Sequence, residues 1–389
     1  MLAPEPFFEP RGTPFSEYHR IKALVELGHR VDLVTYPIGA DVDLPNLRII
    51  RSPGLPFVRR VRIGPSLVKL LLDLRLARAA LRQARRERYD LIHSHEEAGF
   101  FGVWLARRLG VPHLYDMHSS LPQQLSNFRH GLGRWLQPAF GRLERTTIDG
   151  SQAVITICQE LQDLVTAMGA GDRSVLIENV MGGLVDEPPR VTAAEVSARW
   201  GLGTDRVVVL YTGTFEPYQG LDLLLQAAAR LTASHPSVVV LVAGGEPAQV
   251  VEARGRATAL GAPVVFAGQQ PARDIPAFVE ACDILVSPRV AGTNTPLKIY
   301  SYLQSGRPIV ATDLRTHTQV LDATTALLVP PEAGALAAGI LRLVDDPAMG
   351  RRLAAGAAQV ARERYSRQAY LARTVEAYAL LGVSASGAS

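Results

Sequence analysis

The stretch that decides the fold is GTNTPLKIYSYLQSG, residues Gly292–Gly306, followed by RPIVAT, residues Arg307–Thr312. It has the order of a loop, a helix, a stop and a strand. Thr295 suits a helix N-cap and Pro296 suits the first helical position. Gly306 suits the position just past the last helical turn. The stretch therefore predicts a strand-to-helix loop of the kind that parallel α/β sheets contain.

This loop leads from a strand predicted over Asp283–Pro288 into a helix N-terminus. A helix N-terminus offers unpaired N–H groups and the positive end of the helix dipole to an anion. Lys298 adds a full charge in the first turn. An anion-binding loop and an ordinary strand-to-helix connection are both compatible with this pattern.

The composition is that of a globular protein with two domains. The chain has 389 residues, of which 47% are hydrophobic and 20% charged, with a net charge of +4. This mild basicity predicts an acidic ligand or surface at most, and no nucleic acid partner. Two isolated cysteines, Cys158 and Cys282, predict core packing in a reducing compartment rather than a disulfide.

The N-terminus and the hydropathy pattern predict a cytoplasmic location. Leu2-Ala3 resembles the tail of a first strand, and the N-terminus lacks the basic and apolar regions of a signal peptide. No stretch approaches the roughly 18 apolar residues of a spanning helix.

Strand and helix patterns alternate along the chain, which predicts doubly wound parallel sheets. The pattern loosens between Gly182 and Asp205 and then restarts, so a linker is predicted there. We therefore predict domains at 1–183 and 184–365, and a closing helix with a flexible tail at 366–389.

A basic segment lies between Arg51 and Arg88, with eleven basic residues against two acidic ones. Leucines and alanines from Leu67 to Ala84 recur at helical spacing, and we expect this stripe to pack on the sheet. The preceding loop, Leu55–Arg62, mixes Phe and Val with Arg. This mixture is compatible with contact between residues 55–88 and an anionic membrane surface, which would make the protein peripheral on the inner face.

Several stretches resemble the retaining glycosyltransferases of family 4, also called group 1, over nearly the whole chain. The matching pieces, in the family's order, are Pro10–Pro14, Ala23–Val31, Val175–Asn179, Tyr211–Leu224, Val242–Gly245, Val265–Gly268 and Gly306–Ala311. The resemblance implies the GT-B fold, in which two Rossmann-like domains face each other across a cleft and a C-terminal helix crosses back to the N-terminal domain. It also implies an acceptor domain first and a nucleotide-sugar donor domain second.

This sequence departs from the family at the donor site. The family's usual arginine and lysine fall on Thr214 and Gln219, and its paired glutamates fall on Thr293 and Ser301. Some family members instead carry a P-x-K turn, which Pro296-Leu297-Lys298 resembles. In that case Lys298 neutralises part of the donor charge, together with the amides of Asn294 and Thr295.

The resemblance implies roles for individual residues. The catalytic candidates are His118, Gly12 and Lys298. The donor-binding candidates are Gly213, Thr214, Gln219, Gly268, Gln269, Thr293, Asn294, Thr295, Lys298 and Ser301. The acceptor-side candidates are Arg11, Thr13, His95 and Glu96. We expect no metal or other cofactor, since a third ligand for the His93 and His95 pair is not evident in the sequence.

The implied function is transfer of a hexose-like sugar from a nucleotide-sugar donor to a glycan or lipid-linked acceptor, with retention of anomeric configuration. The four neutral residues leave open a degenerate protein that binds a nucleotide sugar without turnover. A sugar-nucleotide epimerase of the same fold is a further alternative.

Overall fold

The computed structural model describes residues 1–8, 12–56, 58, 61, 66–120, 122, 132–178 and 188–382, without the side chains of 12–13, 132–136 and 232–234. The chain divides into two compact units. The first unit contains Met1–Val180 and Arg367–Ser389, and the second contains Met181–Ser366.

The first unit contains a seven-stranded parallel sheet with the order β3-β2-β1-β4-β5-β6-β7. Its strands are β1 (Leu2–Ala3), β2 (Val31–Thr35), β3 (Leu47–Arg51), β4 (Ile92–His95), β5 (His113–Met117), β6 (Ala153–Thr156) and β7 (Ser174–Leu176). Its helices are α1 (Gly12–Glu26), α2 (Leu67–Ala84), α3 (Ala98–Leu109), α4 (Leu132–Asp149) and α5 (Gln159–Ala167).

The second unit contains a six-stranded parallel sheet with the order β10-β9-β8-β11-β12-β13. Its strands are β8 (Val207–Thr212), β9 (Val238–Ala243), β10 (Val264–Gly268), β11 (Ile284–Ser287), β12 (Ile309–Thr312) and β13 (Leu327–Val329). Its helices are α6 (Ala193–Trp200), α7 (Leu221–Ser234), α8 (Pro247–Ala259), α9 (Ile275–Glu280), α10 (Lys298–Gln304), α11 (Arg315–Thr318), α12 (Ala333–Asp345) and α13 (Pro347–Arg364).

Both faces of the second sheet are covered. Along β8, Val208 and Leu210 pack in one apolar cluster, while Val209 and Tyr211 pack in another on the opposite face. When a parallel sheet is buried on both faces, its strands are continuous apolar runs in the sequence. Polar side chains are therefore concentrated where the strands end, and the two units have the Rossmann-like α/β architecture that the sequence predicted.

The last helix, α14 (Arg367–Ala379), belongs to the first unit. Arg373 of this helix donates to the Leu176 carbonyl oxygen at 2.7 Å, and Tyr370 and Tyr378 lie in the core with Ile21 of α1. The prediction that the C-terminal helix returns to the N-terminal part of the chain is confirmed.

The predicted start of α10 is wrong. Helix α10 begins at Lys298 rather than Pro296, and its N-cap is Leu297 rather than Thr295. A turn precedes the helix, because the Ile299 N–H donates to the Pro296 carbonyl oxygen at 2.9 Å. The buried Thr295 hydroxyl has no hydrogen-bond partner in the part of the chain that the structure describes. Gly306 does lie just past the helix, with φ +71°.

The expectation for α2 is also wrong. Its apolar stripe was expected to pack on the sheet, yet Leu67, Leu70, Leu71 and Leu74 are exposed, Leu67 by 81%. A different face is buried, formed by Leu72, Leu76 and Ala80. Helix α2 has apolar residues on two sides, so spacing alone could not identify the buried one.

Two sequence predictions are only partly covered by the described residues. In the linker predicted over Gly182–Asp205, residues 182–187 lie outside the described chain, and Ala193–Trp200 forms α6 with a Thr192 capping box. Helix α6 buries only Val196, so its periodicity was too weak to predict it. In the loop before α2, residues 57, 59–60 and 62–65 also lie outside the described chain.

Two smaller predictions can be compared with the structure. Cys158 and Cys282 are buried free thiols, as core packing requires. Among the described residues, no helix is long and apolar enough to cross a membrane.

One close backbone contact in the second unit gives a stability prediction. Gly244 has φ +142°, and a Cβ there would lie 1.8 Å from the Gly213 carbonyl oxygen. We predict that Gly244→Ala costs about 3 kcal/mol or more of unfolding free energy. In Gly261→Ala a Cβ meets nothing within 4 Å at φ +64°, so the cost is about 1 kcal/mol. Urea denaturation measures both, and equal losses would contradict the clash.

Candidate functional site

In the first unit, polar side chains meet at the carboxyl ends of β4 and β5. The two strands are parallel neighbours, and His95 pairs with Asp116 in their register. Glu96 follows β4 and His118 follows β5. Ligand sites in open parallel sheets lie at this edge, so the sequence-predicted residues His95, Glu96 and His118 lie where such a site is expected.

Asp116 is at the centre of this cluster. The Arg20 Nε of α1 donates to Asp116 Oδ2 at 2.9 Å, and His118 Nε2 lies 3.1 Å from Oδ1. All three side chains are at most 3% exposed. Burial alone would raise the pKa of Asp116, but Arg20 and His118 hold it well below its usual range. Asp116 is therefore a fixed negative charge beside His118.

The Asp116 carboxylate favours the protonated form of His118. Burial lowers the pKa of His118, but the Asp116 carboxylate more than offsets this and the pKa lies above its ordinary value. Its Nε2 also lies 3.2 Å from His95 Nδ1. Burial holds the pKa of His95 well below its ordinary value, so His95 is neutral. A charged donor beside a neutral imidazole is suited to bind a phosphate or a sugar hydroxyl.

The structure supplies the third potential metal ligand that was not evident in the sequence. His93, His95 and Asp116 bring ligand atoms within 4.8 Å of one another. However, the His93 and His95 rings are stacked with planes only 9° apart, so their lone pairs run side by side rather than converging. Asp116 is already paired with Arg20. The arrangement fits a hydrogen-bonded network better than metal ligation, and the expectation of no metal stays a prediction.

Glu96 is the acceptor-side candidate with the most unusual environment. It has φ +46°, and its Oε2 accepts a hydrogen bond from Ser119 at 2.7 Å. Burial and the neighbouring Glu97 raise the pKa of Glu96 to about 7. Glu97 is itself paired with Lys69 of α2 at 2.6 Å. Glu96 can therefore exchange a proton near neutral pH.

The remaining candidates of the first unit are only partly described. Gly12 and Thr13 form the first positions of α1. Arg11 lies outside the described residues.

In the second unit, Lys298 approaches the end of β8. Its Nζ donates to the Thr212 carbonyl oxygen at 2.9 Å and lies 4.0 Å from the centre of the Tyr211 ring. A Cβ on Gly213 would be 3.5 Å from this Nζ. Burial, and then Arg289, hold the pKa of Lys298 well below its usual range. Within the described residues, no carboxylate pairs with Lys298.

Arg289 is the site residue that the sequence analysis missed. It lies two positions after Ser287, the last residue of β11, and is only 9% exposed. Its Nη1 donates to Thr316 Oγ1 at 2.6 Å and to the Asn294 carbonyl oxygen, and its guanidinium lies over the Tyr218 ring. No family motif marks position 289. The only signal was a single cation directly after a predicted strand end.

The other donor-side candidates are distributed over three loops. Thr293 and Asn294 contribute backbone oxygens to Gln319 and Arg289, and Ser301 Oγ donates to the Lys298 carbonyl oxygen. Gly213 and Thr214 are exposed after β8, and Gln219 ends a short turn. Gly268 and the exposed Gln269 lie at the end of β10, two strands away from β8.

The effect of the Asp116 charge on the pKa of His118 can be tested. In Asp116→Asn the burial that lowers the pKa of His118 is no longer opposed, so this pKa should fall from above to below about 6.5. Histidine resonances followed by NMR over a pH series measure it. Asp163→Asn, on the exposed side of α5, is the control and should leave the titration unchanged. An unchanged His118 pKa in Asp116→Asn would contradict the assigned role of Asp116.

The chain is similar in sequence to known glycosyltransferases. Residues 18–179 match the family described as "Glycosyl transferase 4-like domain", and residues 206–346 match "Glycosyl transferases group 1". The chain is 28% identical to alpha-D-kanosaminyltransferase of Streptomyces kanamyceticus, over 73% of this chain and 76% of that protein. It is 24% identical to phosphatidyl-myo-inositol mannosyltransferase of Mycobacterium leprae, over 99% and 97%.

Solved structures share the fold. Sucrose-phosphate synthase from Thermosynechococcus elongatus superposes with a TM-score of 0.78 and 21% identity, over 98% of both chains. Anabaena HepE, in complex with UDP-glucose, superposes with a TM-score of 0.72 and 18% identity, over 97% of this chain and 98% of that chain. Since the two family matches together span more than half of the chain, this protein belongs to the family 4, or group 1, glycosyltransferases of the GT-B fold.

Proposed function

We propose that this glycosyltransferase transfers a sugar from a nucleoside diphosphate donor to a glycan or lipid-linked acceptor, with retention of anomeric configuration. The observation that carries the proposal is Lys298, a partly buried ammonium with no carboxylate partner among the described residues. An unpaired cation at the carboxyl end of a parallel sheet favours an anionic ligand. The relative solved with UDP-glucose supports the same class of donor.

Departure of the nucleoside diphosphate limits such a reaction, because negative charge develops on the leaving phosphate. Preplaced positive groups that meet this charge are usually the largest catalytic contribution. In our proposal Lys298 stabilises the leaving diphosphate and the His118 imidazolium donates to the donor phosphate or to the transferring sugar. Glu96, with a pKa of about 7, is then suited to bind the attacking acceptor hydroxyl or to take up its proton.

Two names among the relatives bear on the substrates, one on the acceptor and one on the transferred sugar. One relative is named for phosphatidyl-myo-inositol, which supports a lipid-linked acceptor. Another is a kanosaminyltransferase, whose name gives the transferred sugar. The neutral residues Thr214, Gln219, Thr293 and Ser301 favour a second candidate function, a protein that binds a nucleotide sugar without turnover.

The donor test distinguishes these two functions. We predict that one class among UDP-, GDP- and ADP-sugars releases its nucleoside diphosphate, and that lipid extracts accelerate the release. His118→Asn should lower the rate about 100-fold or more, because a charged donor to the developing anion is lost. If no donor is consumed although a nucleotide binds tightly, the binding-protein alternative is correct.

The exposed face of α2 supports peripheral contact with an anionic membrane. Leu67, Leu71 and Leu74 lie on one side of the helix, and Arg78 and Arg82 continue the same side toward its end. Lys69 and Arg75 make other contacts, with Glu97 and with a backbone carbonyl. Exposed leucines beside exposed arginines suit the boundary between lipid headgroups and acyl chains.

Vesicle binding tests the membrane contact. We expect the protein to bind phosphatidylcholine vesicles that contain phosphatidylglycerol, and to bind less at high salt. The double variant Leu71→Gln, Leu74→Gln should bind at least about tenfold more weakly, because two apolar side chains no longer enter the lipid. Val251→Gln, a change at an exposed apolar position on α8, is the control. Equal binding of all three proteins would rule out α2 as the contact.

A further inference from the structure

The loop after β11 contains two cations that have no acidic partner among the described residues. They are Arg289, two positions after the last residue of the strand, and Lys298, the first residue of α10. The described residues provide no ion pair to either side chain, whose polar contacts are with hydroxyls, backbone carbonyls and aromatic rings. Two like charges in a partly desolvated place are unfavourable unless an anion offsets them.

The Arg289 guanidinium is held in one orientation. Its Nη1 donates to Thr316 Oγ1, and its plane lies over the Tyr218 ring with the central carbon 5.0 Å from the ring centre. The loop backbone passes close by, since a Cβ on Gly292 would lie 3.2 Å from this carbon. Among the described residues, its Nε has no hydrogen-bond partner. An oriented arginine with an unused donor is preorganised for an oxygen anion.

Lys298 is oriented by two groups among the described residues. One carbonyl oxygen, that of Thr212, accepts from its Nζ, and the Tyr211 ring lies on one side. Burial and the nearby guanidinium hold its pKa well below the ordinary value, while burial also lowers the pKa of Arg289. Both shifts have the direction expected of cations that lack a counter-charge.

These two cations lie where the donor site has lost its usual ones. By resemblance to the family, position 214 should carry arginine and position 219 lysine, but this chain has Thr214 and Gln219 after β8. Strand β11 is the parallel neighbour of β8, and Lys298 reaches back to the last residue of β8, Thr212. The positive charge therefore comes from the loop after β11 instead of the loop after β8.

We propose that Arg289 and Lys298 together bind the diphosphate of a nucleoside diphosphate ligand, with Arg289 as the second cation that makes the site selective for diphosphates over monophosphates. This rests on the proposed function, because it assumes a nucleotide-sugar donor. One cation suffices for a single phosphate, whereas two are needed to meet the additional charge of a diphosphate.

The test is calorimetric binding of UDP, GDP and ADP, each compared with its monophosphate. The wild-type protein should bind one diphosphate at least about tenfold more tightly than the matching monophosphate. Arg289→Gln should weaken diphosphate binding about 10- to 100-fold and remove this preference, while monophosphate binding changes little. Lys298→Ala should also abolish tight diphosphate binding, and Arg289→Lys should retain part of the preference. Arg254→Gln, an exposed arginine of α8, is the matched control and should behave as wild type.

A measurement on the wild-type protein covers the case in which Arg289→Gln does not fold. Diphosphate binding should become coupled to proton uptake as the pH is raised, because an anion beside Lys298 raises the pKa that burial and Arg289 hold below its ordinary value. Calorimetry in two buffers with different heats of ionisation, HEPES and Tris, measures this uptake from the difference in heat. Binding without proton uptake and without a preference for the diphosphate would overturn the proposal.

Failure of the proposal and failure of the proposed function give different results. If a donor is consumed but folded Arg289→Gln binds its diphosphate as tightly as wild type, the role of Arg289 is wrong and the glycosyl transfer stands. If the diphosphate preference depends on Arg289 but no donor is consumed, the binding site is correct and turnover is absent.

Discussion

The ion pair between Arg20 and Asp116 connects more of the first unit than any other polar contact described above. It joins α1 to β5, places a negative charge beside His118, and lies beneath the C-terminal helix, where Tyr370 stacks on the Arg20 guanidinium at 5.1 Å. Both partners are buried, so the loss of either leaves an uncompensated charge in the core. The same pair that connects these elements therefore also sets the protonation of the histidine nearest to it.

The two units differ in whether their buried cations have a counter-charge. In the first unit Arg20 and His118 each have the Asp116 carboxylate as a counter-charge. In the second unit Arg289 and Lys298 have only neutral acceptors among the described residues. A satisfied cluster favours a fixed geometry, whereas an unsatisfied one favours a ligand that supplies the missing charge. The Asp116 cluster therefore fixes the position of Arg20 and His118, whereas Arg289 and Lys298 are suited to binding an anion.

Most of the fold could be predicted from the sequence, because buried parallel strands such as Val238–Ala243 are continuous apolar runs and helices end at glycines such as Gly306. The failures have physical causes. Helix α2 is apolar on two sides, so spacing did not identify its buried face. Asp116 looked like an ordinary strand residue, since its partner Arg20 lies 96 positions away in sequence. Arg289 was not identified from the sequence, because its lack of a counter-charge among the described residues is visible only in the three-dimensional structure.

Helix α14 affects the order in which the two units can fold during synthesis. The first unit contains both the beginning of the described chain and Arg367–Ala379, so the whole second unit is inserted between two parts of the first. His93 contacts the Tyr378 hydroxyl at 2.8 Å, and Arg20 contacts Tyr370, so the buried cluster stays incomplete until the last helix leaves the ribosome. The second unit has no such dependence. During synthesis the middle of the chain can reach its native structure before the part that was translated first.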